Sequence, residues 1–256
     1  MEAFYSTTIL GFSVYAILWL FLIYSFLGVV VETIFCLVQE GVLESTLGLL
    51  YLPFRPMYGI GGVACVLLLH GFLKLPILIL LLGILICSVV EYVGSLVMEK
   101  LFNTVAWDYS DKVLNLHGRI CLQYSCGWGL LALLVVCVLD RYFLGFVGAF
   151  GGEDGHIVLT ALMILVLLSE VITLAALVRT RRRVANLKAL RAGETATVSD
   201  TRWNRLIDRL APDLVMINTF PRSSLMIEFM ELIGMRRAWI RVPKYAGLLR
   251  AARHSS

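Results

Sequence analysis

Glu32, Glu91 and Glu170 each sit inside a long apolar run. A charge left in hydrocarbon costs at least about 2.5 kcal/mol, so such a carboxylate faces a bundle interior, a partner or a wet cavity. These acids are the first candidates for chemistry. Cys87, Glu91, Gly94, Ser95, Met98 and Glu99 recur three or four residues apart, which places them on one helix face. Ser25, Gly28, Glu32 and Cys36 form a similar stripe, and Glu170 has Thr173 three residues on. Arg119 supplies one deep cation, with Gln123, Cys126 and Gly127 at the same spacing. Glu32, Glu91, Glu99, Arg119 and Gln123 are therefore read as a buried polar site or substrate path. Its ligand would be a cation, a proton or a polar substrate. The competing reading is structural: Arg119 pairs with Glu91 or Glu99, and Glu32 bonds a hydroxyl.

A second group lies between two of the runs. Trp107, Asp108, Tyr109, Ser110, Asn115 and Gly118 fall in a stretch short on flexible filler and rich in side chains that make fixed contacts. An ordered interfacial loop, with Trp and Tyr at the headgroups, would read the same way. His117 alone is no ligand set, and the six cysteines include no CxxC pair. No metal site, cofactor or disulfide framework is expected. No catalytic residue is assigned, because the chain has neither a nucleophile motif nor HExxH nor G-x-x-x-x-G-K-[ST].

The elements that must hold these residues are membrane helices. The runs cover residues 12–38, 57–73, 77–98, 120–139 and 156–178, and a spanning helix needs roughly 20 apolar residues. The chain is 59% hydrophobic and 16% charged, with mean hydropathy +0.86, outside the range of a soluble domain. The first run is too long for a signal-peptide core and lacks a basic flank, so it reads as a retained helix. The fold expected is all-α: a polytopic bundle of about five transmembrane helices over 1–178, then a cytoplasmic amphipathic helical tail over 179–256. Residues 47–54 are apolar yet broken by Gly48 and Pro53 with Pro56 beyond, so they read as re-entrant or as an interfacial loop.

Charge divides the chain at the same point. Residues 1–178 carry 6 Lys+Arg and 12 Asp+Glu, whereas 179–256 carry 16 and 6. Positive residues stay cytoplasmic, which puts the C-terminus inside and, with five spans, the N-terminus outside a plasma membrane. Trp203–Leu210 and Leu225–Ile240 each place apolar residues at helical spacing beside basic ones. Such helices lie on anionic lipid or pack on themselves. No motif supports nucleic-acid recognition.

Several stretches resemble one family. They are FLIYSFLGVVVE (Phe21–Glu32), PMYGIG (Pro56–Gly61), EYVGSLVMEKLF (Glu91–Phe102), WDYS (Trp107–Ser110) and NLHGRICL (Asn115–Leu122), with Trp128-Gly129 beyond. Together they are similar to the CmpB-like ABC-transporter type IV membrane proteins, over about residues 17–175. The resemblance implies a permease-like subunit of an ABC-type transporter, served by a separate ATPase docking on its cytoplasmic face. Two other functions compete. One is a non-catalytic scaffold or regulator whose basic tail recruits a partner or anionic lipid. The other is an intramembrane enzyme acting on lipid, for which the chain offers no recognised motif. Five spans are few for a complete transport path, so a homo-oligomer is also expected.

Overall fold

The computed structural model describes residues 2–40, 48–195, 201–221 and 223–235. Residues 41–47 and 196–200, and Ile240 of the second amphipathic stretch, lie outside them. A short helix α1 (Glu2–Ser6) and a two-residue hairpin, β1 (Thr8–Ile9) with β2 (Phe12–Ser13), lead into α2 (Val14–Glu40). Then come α3 (Pro56–Leu69), α4 (Pro76–Phe102), α5 (Leu122–Leu134), α6 (Asp140–Ala149) and α7 (Glu153–Arg191). A π-helical turn, Val135–Leu139, joins α5 to α6 without a break, so Leu122–Ala149 runs as one helix.

Among the described residues four helices are long and apolar enough to cross a membrane: α2, α4, α5 with α6, and α7. In hydrocarbon the backbone must satisfy itself, which is why apolar runs of this length are helical. α3 corresponds to the shortest of the runs expected, 57–73. Its 14 residues extend about 21 Å, short of a core of about 30 Å. Pro56 sets its start and a tight 3-10 turn at His70–Phe72 ends it.

Residues 48–55 before it are non-helical; Leu49 and Leu50 pack inside the bundle, while Tyr51 is half exposed. Leu49 and Leu50 are each 2% exposed. Leu49 packs with Trp19, Leu22, Leu159 and Val166, and Leu50 with Phe102, Ala176 and Leu177. The Leu50 amide donates to Thr173 Oγ1 (3.2 Å), and the Arg55 amide to the Ser25 carbonyl (2.9 Å). Ser25 lies midway along α2. Irregular backbone at that depth is tolerated only where protein encloses it. α3 then runs back beside α2. Tyr58 faces Gly28, Phe21 and Ser25 face Gly59, Tyr24 faces Gly62, and the His70 ring meets Phe12. A side chain at any of these glycines would overlap its neighbour, so small residues set the approach of the two helices.

α4 packs most extensively on α5. Ser88 Oγ donates to Ser125 Oγ (2.8 Å), and Gly83 faces Ala132. The buried face of α5 is Ser125, Gly129 and Ala132, while Gln123, Cys126 and Gly127 are exposed. Gln123, Cys126 and Gly127 of the stripe predicted from Arg119 onward therefore point away from the bundle, and the small side chains of Ser125, Gly129 and Ala132 meet α4 instead.

The tail folds back on the bundle. α7 continues as one helix to Arg191 and α8 (Arg202–Leu210), α9 (Asp213–Thr219) and α10 (Ser224–Leu232) follow. Thr201 and Ser223 cap α8 and α10 by accepting from the Asn204 and Met226 amides. Met226, Ile227, Phe229 and Met230 are fully buried against α7, where Leu177 and Val184 lie. Ser224 and Thr104 tie α10 to the segment after α4: the Ser224 amide donates to the Val105 carbonyl (3.0 Å), and the Leu225 amide to Thr104 Oγ1 (3.3 Å). Arg179–Asp208, Arg183–Asp213 and Lys188–Glu228 pair α7 with α8, α9 and α10 in turn. α10 is thus part of the core. α8 buries Asn204 and Ile207 but leaves Trp203, Leu206 and Leu210 exposed beside Arg202, Arg205 and Arg209.

Candidate functional site

The broken segment, α2, α3, α4, α5 and α7 enclose a cavity of about 510 Å³. Cys65, Val135 and Leu139 line one end, and Thr219, Phe220 and Ser223 of the tail line the other. Its walls are chiefly apolar, with three carboxylates, Glu32, Glu91 and Glu170, and one guanidinium, Arg55, among the described lining residues.

Glu91 is 5% exposed and lies on the inner face of α4. Tyr109 Oη donates to its Oε1 (3.2 Å) and Trp128 Nε1 to its Oε2 (3.1 Å). Both partners are neutral. Burial and the Glu91 charge push the Tyr109 hydroxyl well above the usual phenol range, so it stays a donor at any physiological pH. Glu32 on α2 accepts from Tyr58 Oη (2.9 Å) at the start of α3. The Tyr58 and Trp128 rings meet edge to face, with centroids 5.2 Å apart, so the two carboxylates are joined through one aromatic pair. Glu170 Oε2 is buried with no hydrogen-bond partner among the described residues. Across α3 and α4, Cys65 Sγ and Cys87 Sγ touch at 3.6 Å as free thiols on the cavity wall.

Tyr109 reaches Glu91 because the loop before it is bonded to itself. Asp108 Oδ1 accepts from the Ser110 amide (2.9 Å) and hydroxyl (2.6 Å). The Tyr109 amide donates to the Gly118 carbonyl (2.8 Å), and Asn115 Oδ1 accepts from the Gly118 amide (3.1 Å). Trp107 Nε1 donates to the Arg119 carbonyl (2.9 Å). A short antiparallel pair, β3 (Asn115–Leu116) with β4 (Ile120–Cys121), closes the hairpin. Gly118 turns at φ +67°, and a Cβ there would meet the Asp108 carboxylate and the Ser110 hydroxyl. The six loop residues singled out in the sequence thus form one knot that aims Tyr109 inward.

The polar site predicted from sequence divides in two. Glu32 and Glu91 line the cavity. Glu99 and Arg119 form an ion pair that is absent from its lining, with side-chain exposures of 39% and 16%; the Arg119 guanidinium also lies 5.5 Å from the Tyr92 ring. Gln123 is exposed on α5. The cavity's cation is instead Arg55, the residue that precedes α3. Sequence reasoning missed it, although a lone Arg before Pro56 between two apolar runs was the available signal. Tyr24 and Tyr58 were missed as well, because each reads as an ordinary apolar-helix aromatic. Among the described residues no group of three His, Cys, Asp or Glu side chains is placed to hold a metal ion.

The family described as “Putative ABC-transporter type IV” matches residues 19–174. That match covers α2 to most of the membrane part of α7 and every cavity residue named above except those of the tail. No curated protein and no solved structure matches the chain.

Proposed function

Because the chain belongs to this ABC-transporter type IV family of multi-pass membrane proteins, we propose that it is a permease-like subunit with a buried acidic site formed by Glu32 and Glu91. The observation that carries this reading is the cavity, which runs beside a crossing that is half irregular backbone and half helix. Discontinuous helices of this sort commonly hold substrate near the bilayer midplane in transporters. The chain contains no G-x-x-x-x-G-K-[ST] sequence, so ATP hydrolysis falls to a partner. The excess of Lys and Arg after residue 178 supports a cytoplasmic C-terminus in this reading, and the ATPase would dock there, on the tail and the α4–α5 hairpin. Homo-oligomers remain part of this reading, since five crossings are few for a full path.

Crosslinking in native membranes, followed by mass spectrometry, tests the assembly. A Walker-motif ATPase in stable stoichiometry is the expected result. With that partner in proteoliposomes, Glu91→Gln should abolish flux while the protein stays folded; normal flux would remove Glu91 from the path.

A second reading is favoured by α8. Its exposed Trp203, Leu206 and Leu210 beside Arg202, Arg205 and Arg209 suit an anionic lipid surface. The chain would then be a scaffold or regulator. In that case deleting residues 192–256 would remove function and Glu91→Gln would not.

A further inference from the structure

Four aromatic side chains line the cavity next to the carboxylates: Tyr58, Trp107, Tyr109 and Trp128. Each spends its polar donor inside the protein, on Glu32, the Arg119 carbonyl, Glu91 and Glu91 in turn. Beyond the Tyr58–Trp128 and Tyr109–Tyr124 ring contacts, the ring surface that lines the cavity is what they have left to offer a ligand. Ring faces carry negative potential, and three carboxylates opposed by one lining guanidinium add to it. A wall of this kind favours positive charge that needs no hydrogen-bond acceptors, which is the property of an alkylated ammonium group. Hard divalent cations fit poorly. They require about six or more oxygen ligands, whereas both Glu91 oxygens already accept from ring donors.

A second observation points to an occupant. Tyr24 is 3% exposed and lines the same cavity, yet its hydroxyl has no hydrogen-bond partner among the described residues. A buried polar group left this way costs free energy that a ligand can recover. Tyr24 lies one turn of α2 before Gly28, the residue that faces Tyr58. The two α2 positions are therefore about 6 Å apart along the helix axis, and both side chains line the one cavity.

We propose that the cavity binds a small organic monocation of the alkylated-ammonium class. The cationic head sits against Tyr58, Tyr109 and Trp128 between Glu32 and Glu91, and a polar substituent reaches Tyr24. The proposal rests on the permease reading for its biological role, but binding itself needs no transport.

The test is calorimetric titration of the full chain, purified in detergent, with choline. Its controls are the neutral isostere of choline, in which carbon replaces nitrogen, and tetramethylammonium. Saturable choline binding is expected, with the neutral isostere weaker by at least about tenfold. Trp128→Ala should weaken choline by about tenfold or more, and Trp128→Phe should restore most of the loss. Tyr24→Phe should weaken choline but leave tetramethylammonium, which lacks the hydroxyl, unchanged. Absence of saturable choline binding, equal binding of the neutral isostere, or an unchanged affinity in Trp128→Ala would overturn the proposal. So would equal losses for both cations in Tyr24→Phe. The two readings fail separately. Choline binding without flux in proteoliposomes with the ATPase removes the permease and keeps the site. ATP-driven flux of another solute without choline binding does the reverse.

Discussion

The bundle interior and the tail are held by different means. Inside the bundle, glycines at 28, 59 and 62 bring α2 and α3 together, and space is left around Glu32 and Glu91. In the tail, Met226, Ile227, Phe229 and Met230 fill a dense core, and three ion pairs hold the rim. Lipid gives no hydrophobic reward for helix association, so the first region relies on close backbone approach and hydrogen bonds. The second relies on apolar burial. The two meet where Thr219, Phe220 and Ser223 cover one end of the cavity. The difference teaches that the region with room for a ligand is the one whose contacts are set by small residues. The region that covers it lies beyond the family match, which ends at residue 174.

The comparison is broken or sharpened by mutation. Phe229→Ala carries the largest expected effect. Truncating a fully buried Phe costs about 3–5 kcal/mol, so limited proteolysis should cut within 201–235 while the membrane helices keep their protection. Loss of the bundle in the same experiment would show that the two regions are one cooperative unit. Gly28→Leu comes next. Its side chain would overlap Tyr58, and overpacking costs about 1–3 kcal/mol. Thermal unfolding in detergent should show the bundle weakened with the tail's proteolytic pattern unchanged.

Tyr109→Phe removes one donor from Glu91 and should cost about 1 kcal/mol. Thermal unfolding in detergent should show that loss, and an unchanged midpoint would contradict the Tyr109–Glu91 bond. The smallest effect belongs to Glu99→Gln. The half-exposed pair with Arg119 is screened by water, and such pairs contribute about 0–1 kcal/mol. A loss as large as that of Gly28→Leu would place this pair in the bundle's interior after all.

The helical fold was legible because lipid leaves few choices. A run such as 77–98 must be a helix, and α4 covers Pro76–Phe102. The irregular segment before the short helix α3 was only half legible. Leu49, Leu50 and Leu52 read as a continuation of apolar sequence, and only Gly48, Pro53 and Pro56 marked where helix gives way. Within the site, Glu32 and Glu91 stood out because a carboxylate in an apolar run is costly. Arg119 stood out for the same reason, yet its partner is Glu99, since the hairpin carries it to the end of α4. Spacing could not say which face of α5 turns inward, and the choice fell to Ser125 and Gly129. In the tail, the apolar residues from Leu225 to Met230 are too continuous for a surface helix, and α10 is buried accordingly.

A segment of 14 apolar residues is a weak signal to an insertion machinery that reads one helix at a time. α3 therefore depends on its neighbours to be placed. Pro76 follows it after a short turn, so α3 and α4 enter as a hairpin, and α4 carries the apolarity that holds both in the bilayer. Within residues 48–55, the Leu50 amide meets its partner, Thr173, on the last of the long apolar helices. The order of synthesis therefore leaves that amide waiting until α7 is made, whereas the Arg55 amide can already bond Ser25 of α2.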